Sequence, residues 1–251
     1  MCEKMALVLA AGKGTRMKSD LPKVLVPVCG RPMIEYVLDA LTTSGIERII
    51  AVIGYRAELV RSALDGRKNL TFVLQAQQLG TGHAVMVCRD LLADHHGPVL
   101  IVAGDAPLMQ ADSIAALMAE YQRRPAACVI GTALARNPAG LGRIVRDKDG
   151  NFLGIVEHRD ANESQRQIKE VSMSYYVFDC QIMLDALDYI RPNNDQGEYY
   201  ITDLPRALLS RGLEVRAVPV LKPCEVLAIN SMEELAVVEA EMLKTMKADI
   251  N

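Results

Sequence analysis

An apolar run followed at once by a glycine-containing loop constrains this chain more than any other stretch. Residues Ala6–Ala11 indicate a strand buried on both faces, as in a parallel sheet. Gly12 and Gly14 follow it, and such a loop lets backbone N–H groups close on an anion without Cβ obstruction. Three cations lie in the same stretch: Lys13, Arg16 and Lys23. The stretch therefore predicts a strand–loop unit that binds phosphate groups.

Two well-known phosphate-binding motifs do not fit this loop. A Walker A loop needs the spacing Gly-x-x-x-x-Gly-Lys-Ser/Thr, which the stretch lacks. The dinucleotide fingerprint needs a third glycine, and Arg16 and Met17 occupy the region where it would fall. No acidic residue ends the second predicted strand at Arg48–Ile53, so a dinucleotide-dependent dehydrogenase is a weak alternative. An ordinary turn with solvated cations is also weak, because the clustered cations would repel one another without an anionic ligand.

The order of the apolar patterns predicts an α/β fold. Strand patterns at 6–10, 48–53, 70–74 and 99–103 alternate with helical patterns at 32–44, 57–65, 82–92 and 112–123. We expect Thr81 and Asp112 to cap the third and fourth helices. This rhythm predicts a doubly wound, Rossmann-like and mostly parallel sheet. Ligands bind at the carboxyl ends of the strands of such a sheet, where Gly12 and Asp105 both fall.

The rhythm changes after Pro125. Strand patterns follow at 127–134, 143–147, 152–157 and 171–178, with a hairpin signal at Asp149-Gly150. We expect a small antiparallel β addition that lies over the sheet edge and carries a second substrate. Helical patterns at 181–189 and 202–211, a strand at 214–218 and a capping box at 231–234 complete the chain.

Composition and charge restrict the partners. The chain has 251 residues, 50% hydrophobic and 24% charged, with a formal net charge of -3. A cationic loop on a mildly acidic protein points to a small anionic ligand, so we expect no nucleic-acid or membrane partner. The six cysteines are scattered without a Cys-x-x-Cys pair, which is typical of reduced thiols in the cytoplasm. We expect no signal peptide and no membrane-spanning segment.

Two further stretches can carry chemistry. Asp105 follows a buried strand between small residues and is placed to hold Mg²⁺ against phosphates, although capping the turn at Pro107 is an alternative role. The loop Gln75–Ala84 combines two glycines with side-chain amides that can pair with the edge of a pyrimidine. His83, at a helix start, is interpreted as an ordinary hydrogen-bonding residue.

These motifs together resemble a known family. The string Leu9–Met17 with Leu21-Pro22-Lys23 resembles the signature of sugar-1-phosphate nucleotidyltransferases. The stretches Gln75–Ala84, Gly154–Ala161 and Asn194–Asp203 are similar to the uridyltransferase domain of bacterial N-acetylglucosamine-1-phosphate uridyltransferase. The similarity extends from about residue 5 to the last helix. It implies one domain over 1–251, with a nucleotide-binding half at about 5–125, a sugar-binding half at about 126–230 and a C-terminal helix at 231–251.

The resemblance also implies roles for individual residues. Those implied to bind the substrates are Leu9, Ala10, Gly12, Lys13, Gly14, Gln75, Gly80, Thr81, Gly104, Gly142, Glu157 and Ser172. Arg16 and Lys23 would bind the triphosphate and act in catalysis, and Asp105 and Asn230 would share the catalytic Mg²⁺. The implied reaction joins UTP and a sugar-1-phosphate, first of all N-acetylglucosamine-1-phosphate, into a UDP-sugar and pyrophosphate. A monomer or weak homo-oligomer in the cytoplasm is expected.

The chain departs from the family pattern on the sugar side. Ser172-Met173-Ser174 stands where the family usually has Asn-Thr-Gly, and Leu141 and Ala103 replace aromatic residues. Two alternatives therefore stay open: the same reaction with another hexose-1-phosphate, or a nucleotide-sugar-binding protein that has lost turnover. No repeats of the family's left-handed β-helix follow Ser231–Met246, so no acetyltransferase activity is expected in this chain.

Overall fold

A computed structural model of the protein describes residues 3–17 and 19–248. Its strands are β1 (Met5–Ala10), β2 (Pro27–Val28), β3 (Arg31–Pro32), β4 (Arg48–Ile53), β5 (Leu70–Leu74), β6 (Pro98–Ala103), β7 (Cys128–Leu134), β8 (Gly142–Arg146), β9 (Phe152–Val156), β10 (Glu170–Asp179) and β11 (Val215–Val218). Its α-helices are α1 (Met33–Thr43), α2 (Ala57–Ala63), α3 (Thr81–Met86), α4 (Arg89–Leu92), α5 (Ala111–Arg123), α6 (Glu163–Arg166), α7 (Cys180–Ala186), α8 (Leu204–Ser210) and α9 (Met232–Ala248). The last residues of the predicted C-terminal segment 231–251 lie outside the described part.

The central sheet confirms the predicted fold class. Its main path runs β11-β7-β10-β6-β1-β4-β5, and β1 pairs in parallel with both β4 and β6. Side chains of β1 alternate between the two faces, so Met5 and Leu7 join one core while Ala6 and Val8 join the other. Helices α3, α4, α7 and α8 cover the first face, and α1, α2 and α5 cover the second. This two-sided burial is why β1 is apolar throughout.

The predicted small antiparallel addition is confirmed in the β8–β9 hairpin, but it joins the main sheet through β10 and does not lie over the sheet edge. Strand β10 lies between β6 and β7 and is antiparallel to both, and the β8–β9 hairpin extends from it. Tyr175–Phe178 are all buried, because an interior strand has both faces covered. The predicted turn at Asp149-Gly150 is confirmed: it joins β8 to β9, with Gly150 at φ +84°.

Three helix starts and boundaries differ from the sequence prediction. The segment predicted as one helix at 82–92 forms α3 and α4, which are separated at residues 87–88. Gly80, not Thr81, precedes α3, and the Thr81 hydroxyl instead accepts a hydrogen bond from the Ile201 N–H at 3.0 Å. Gln110, not Asp112, precedes α5, and Asp112 forms an ion pair with Lys222 at 2.5 Å.

A third, smaller core fixes the C-terminal helix beside the loop that follows β1. Leu235 and Val238 of α9 pack with Met17 and Val28. As the capping-box prediction requires, the Ser231 hydroxyl accepts a hydrogen bond from the Glu234 N–H, at 3.3 Å. The Glu234 carboxylate, however, accepts from the N–H of Asn230 at 2.6 Å, one residue earlier than a capping box requires. This contact helps to hold Asn230 against residues more than 200 positions away in sequence.

Candidate active site

Two clefts open at the carboxyl ends of the parallel strands. The first cleft lies between the loop after β1 and the loop after β5, and its lining includes Leu9, Ala10, Gly12, Gln75, Gly80 and Thr81. The second cleft lies beside β8 and β10, and its lining includes Gly142, Glu157, Ser172 and Asn230. Both clefts are lined by Lys23, Ala103, Asp105 and Ser174, which we call the junction. Two ligands bound side by side would therefore meet at the junction.

Close packing fixes the loop that forms one wall of the first cleft. Gln75 is 3% exposed, and its Nε2 donates to the Gly80 carbonyl at 3.0 Å and lies 3.0 Å from His83 Nδ1. His83 thus makes the ordinary hydrogen bond expected of it. Gly80 has φ +108°, and a Cβ there would lie 2.5 Å from the carbonyl oxygen of Tyr199. The glycine is required because the segment around Tyr199 approaches the loop this closely.

Charged and amide side chains from three distant parts of the chain come together at and beside the junction. The Lys23 ammonium lies 2.5 Å from Asp105 Oδ2 and 3.2 Å from Asn230 Oδ1. Arg16 Nη2 donates to the same Asn230 oxygen at 2.8 Å. Because α9 packs against the loop after β1, the amide of Asn230 faces these two cations. Four of the residues predicted to act in catalysis or metal binding are therefore in one cluster.

The arrangement at the junction also suits a divalent cation. The carboxylate of Asp105 and the amide oxygen of Asn230 both lie within reach of one ammonium group, so the two oxygens converge on a cation. Mg²⁺ needs only one or two protein oxygens and takes its other ligands from phosphate and water. Asp105 and Asn230 therefore have the chemistry to bind Mg²⁺ if phosphates supply further ligands. Within residues 3–17 and 19–248, no group of three or more His, Cys, Asp or Glu could hold a metal.

The second cleft has polar groups at its base. Glu157 Oε1 accepts a hydrogen bond from the Thr202 hydroxyl at 3.1 Å. Burial raises the pKa of Glu157, and the bond from Thr202 opposes this shift. Ser172 is buried, and its hydroxyl lies 3.0 Å from that of Tyr176. A Cβ on Gly142 would lie 3.1 Å from Ile155 Cγ2 and 3.7 Å from Glu157 Oε1, so the backbone passes close to the carboxylate.

Four of the predicted residues line neither cleft. Lys13 is exposed and lies 5.3 Å from the centre of the Tyr55 ring. Gly14 has φ +67°, and a Cβ there would lie 2.6 Å from Lys23 Cβ, so this glycine permits the approach of Lys23. Gly104 packs against β1, and Arg16 reaches the junction only through Asn230.

Among the other residues that line the clefts are three with polar side chains that were not predicted to bind substrate or metal. Glu198 lines the first cleft, Thr202 the second, and Ser174 both. Glu198 and Thr202 fall within the stretch Asn194–Asp203, which was singled out only for its resemblance. Ser174 lies in an irregular part of β10 that no periodicity could have located.

The fold and the paired clefts define a nucleotidyltransferase, and comparison with known families agrees. The model of the MobA-like NTP transferase domain matches residues 6–168, so the chain belongs to that family. The predictions of the family and of a nucleotidyltransferase are confirmed. Within the described residues, none of the helices combines the length and the apolar character needed to cross a membrane.

Two curated relatives are similar to almost the whole of this chain. The chain is 42% identical over 245 residues to the bifunctional protein GlmU of Pelotomaculum thermopropionicum, covering 98% of this chain and 53% of that protein. It is 46% identical over 242 residues to the bifunctional protein GlmU of Clostridium beijerinckii, covering 96% and 52%. The chain thus spans about half the length of these curated relatives.

A solved structure supports the fold independently. A crystal structure of UDP-glucose pyrophosphorylase complexed with UDP-glucose matches with a TM-score of 0.76 over 96% of this chain and 99% of that chain. The sequence identity is 19%, so this likeness concerns the fold.

Proposed function

We propose that the protein transfers a uridylyl group from UTP to a sugar-1-phosphate, releasing pyrophosphate. N-acetylglucosamine-1-phosphate is the first candidate acceptor, since several relatives that are 40–46% identical to the chain are bifunctional GlmU proteins. The observation that carries the proposal is the junction, where two clefts share Lys23 and Asp105. In this assignment UTP occupies the first cleft and the sugar the second, so residues of about 5–125 hold the nucleotide and residues of about 126–230 the acceptor.

The chemistry needs little more than positioning and charge neutralisation. The attacking phosphate oxygen of the sugar phosphate is already anionic near pH 7, so no general base is required. The difficulty is that two anions must approach in line. Lys23 supplies positive charge at the junction, and Arg16 supplies it next to the junction through its bond to Asn230. Such preorganised groups stabilise charge that develops on the transferring and leaving phosphates. The Glu157 carboxylate, held by Thr202, can accept a hydrogen bond from a sugar hydroxyl.

We infer that Asp105 and Asn230 hold Mg²⁺ when the nucleotide binds. The ion would neutralise phosphate charge next to Lys23. The ammonium of Lys23 is then expected to turn from Asp105 toward the triphosphate, because the metal takes the carboxylate. We further infer that the protein acts in the cytoplasm, as a monomer or a weak homo-oligomer.

A matrix of nucleoside triphosphates against sugar-1-phosphates, with Mg²⁺, tests the proposal through pyrophosphate release. We expect the turnover with UTP and N-acetylglucosamine-1-phosphate to be well above the turnover with any other nucleoside triphosphate. Turnover with UTP and only another hexose-1-phosphate would support the alternative that the acceptor has changed through the substitutions on the sugar side, at Ala103, Leu141, Ser172, Met173 and Ser174. Absence of turnover with every pair, together with calorimetric binding of UDP-N-acetylglucosamine, would indicate a binding protein and contradict the proposal.

A further inference from the structure

Strand β10 contains a bulge at the point where it passes the junction. Its register with β7 shifts between Ser172, which pairs with Thr132, and Tyr175, which pairs with Gly131. Between these two pairs β10 advances by three residues while β7 advances by one, so Met173 and Ser174 have no partners in the β7 ladder. Bulges beside functional sites commonly re-aim a side chain.

Ser174 adopts a backbone conformation that side chains other than glycine rarely take. Its φ is +60°, in the left-handed region. Such a conformation costs free energy and persists only where the surroundings fix the backbone. Here both following residues are anchored: the Tyr175 hydroxyl donates to Glu225 at 2.8 Å, and the Tyr176 hydroxyl lies 3.0 Å from Ser172. The bulge is thus held in place from opposite faces of the strand.

Ser174 lies where the two clefts meet. It lines both of them, together with Lys23, Ala103 and Asp105. The ladder between β10 and β6 includes the pair Tyr176–Ile101, and both Ser174 and Ala103 lie two residues away from that pair. Ala103 has no polar side-chain atom, so among the four junction residues Ser174 alone offers a neutral hydrogen-bonding group. Its side chain also interacts with the Tyr176 hydroxyl, which leaves a hydroxyl lone pair or proton for a ligand.

We propose that the Ser174 hydroxyl donates a hydrogen bond to the diphosphate that links nucleotide and sugar in the product. This inference rests on the proposed function, since that function places the phosphates of both substrates at the junction. A neutral donor adds stabilisation there without drawing the Lys23 ammonium away from the triphosphate. The strained backbone serves to present the hydroxyl at this position.

Two substitutions distinguish the effect of the Ser174 hydroxyl from the effect of the strained backbone. Ser174→Ala removes the hydroxyl and keeps a Cβ at positive φ, whereas Ser174→Gly removes the hydroxyl and relieves the strain. Because hydrogen bonds to charged groups are stronger than neutral ones, we expect both variants to lower kcat/KM roughly ten- to a hundredfold. Urea unfolding of the same proteins shows whether each variant folds. Ser210→Ala is the control, because the Ser210 hydroxyl lies on α8 away from both clefts and donates to the Ala207 carbonyl of its own helix.

The pattern of losses decides the outcome. Equal losses in Ser174→Ala and Ser174→Gly, with normal unfolding, support the hydroxyl contact. Full activity in Ser174→Gly, or in both variants, overturns it, because the hydroxyl would then contribute nothing to turnover. If the wild-type protein does not turn over, the proposed function fails, and the affinity for UDP-N-acetylglucosamine in calorimetry then tests Ser174. An affinity lowered at least about tenfold in both variants supports the contact, and an unchanged affinity overturns it.

Discussion

Replacing Asp105 by asparagine should lower the rate of pyrophosphate release strongly and the free energy of unfolding only slightly. The carboxylate lies 2.5 Å from the Lys23 ammonium, and the two side chains are 30% and 15% exposed. Solvent screens a pair with this exposure, so its loss should lower the free energy of unfolding by only about 1 kcal/mol. Loss of one preorganised electrostatic group at a reacting centre costs roughly 2.7–4 kcal/mol of barrier, or about two to three orders of magnitude in rate.

The chain offers a close control for that experiment. Asp112 also pairs with a lysine, Lys222, at 2.5 Å, and it lines neither cleft. Asp112→Asn should therefore change the unfolding free energy by a similar small amount and leave pyrophosphate release unaltered. Both variants are measured by urea unfolding and by pyrophosphate release under the same conditions. If Asp105→Asn retained a rate within about fivefold of Asp112→Asn, the assignment of the junction would be wrong.

Four further changes test the packing and the charges around the site. Gly80→Ala places a Cβ 2.5 Å from a carbonyl oxygen at φ +108° and should cost roughly 3 kcal/mol in urea unfolding, against about 1 kcal/mol for Gly66→Ala, where φ is +88° and the space is open. Glu225 is 3% exposed and accepts four hydrogen bonds, so Glu225→Gln should cost roughly 2–4 kcal/mol by the same measurement, and a loss below 1 kcal/mol would contradict this network. Burial raises the pKa of Glu157 above its ordinary value of 4.5. The stabilisation from its bound proton is therefore fully present below pH 4.5 and is lost as the pH rises through the raised pKa. Glu157→Gln should remove this pH dependence from the free energy of unfolding measured at a series of pH values. Asn230→Ala should weaken Mn²⁺ binding in the presence of UTP, measured by electron paramagnetic resonance, and unchanged binding would exclude Asn230 as a ligand.

The parallel part of the fold could be predicted because its signals are local. Strands at 48–53 and 70–74 have the predicted bounds, since apolar runs between turn residues mark buried strands clearly. The placement of β10 could not be predicted, because strand order depends on pairings between residues far apart in sequence. An interior antiparallel strand and an added edge strand have the same apolar composition.

In the candidate site, too, the residues next to predicted strands could be located from sequence, whereas those placed by long-range contacts could not. The loop after β1 and Asp105, two residues after β6, could be located from sequence, since parallel strands bring their carboxyl ends to one edge. Asn230 was assigned only through a family resemblance, and its position depends on the packing of α9 against Met17 and Val28. Ser174 was not assigned, because a bulge and a positive φ arise from tertiary contacts on both sides of the strand.

A crystal structure with UDP-N-acetylglucosamine and Mg²⁺ bound would show whether the two substrates meet at the junction. We expect uracil in the first cleft beside Gln75, the sugar in the second beside Glu157, and the diphosphate at the junction within hydrogen-bond distance of Lys23 and Ser174. A diphosphate bound away from the junction, in contact with neither Lys23 nor Asp105, would show that the junction is not the reaction site.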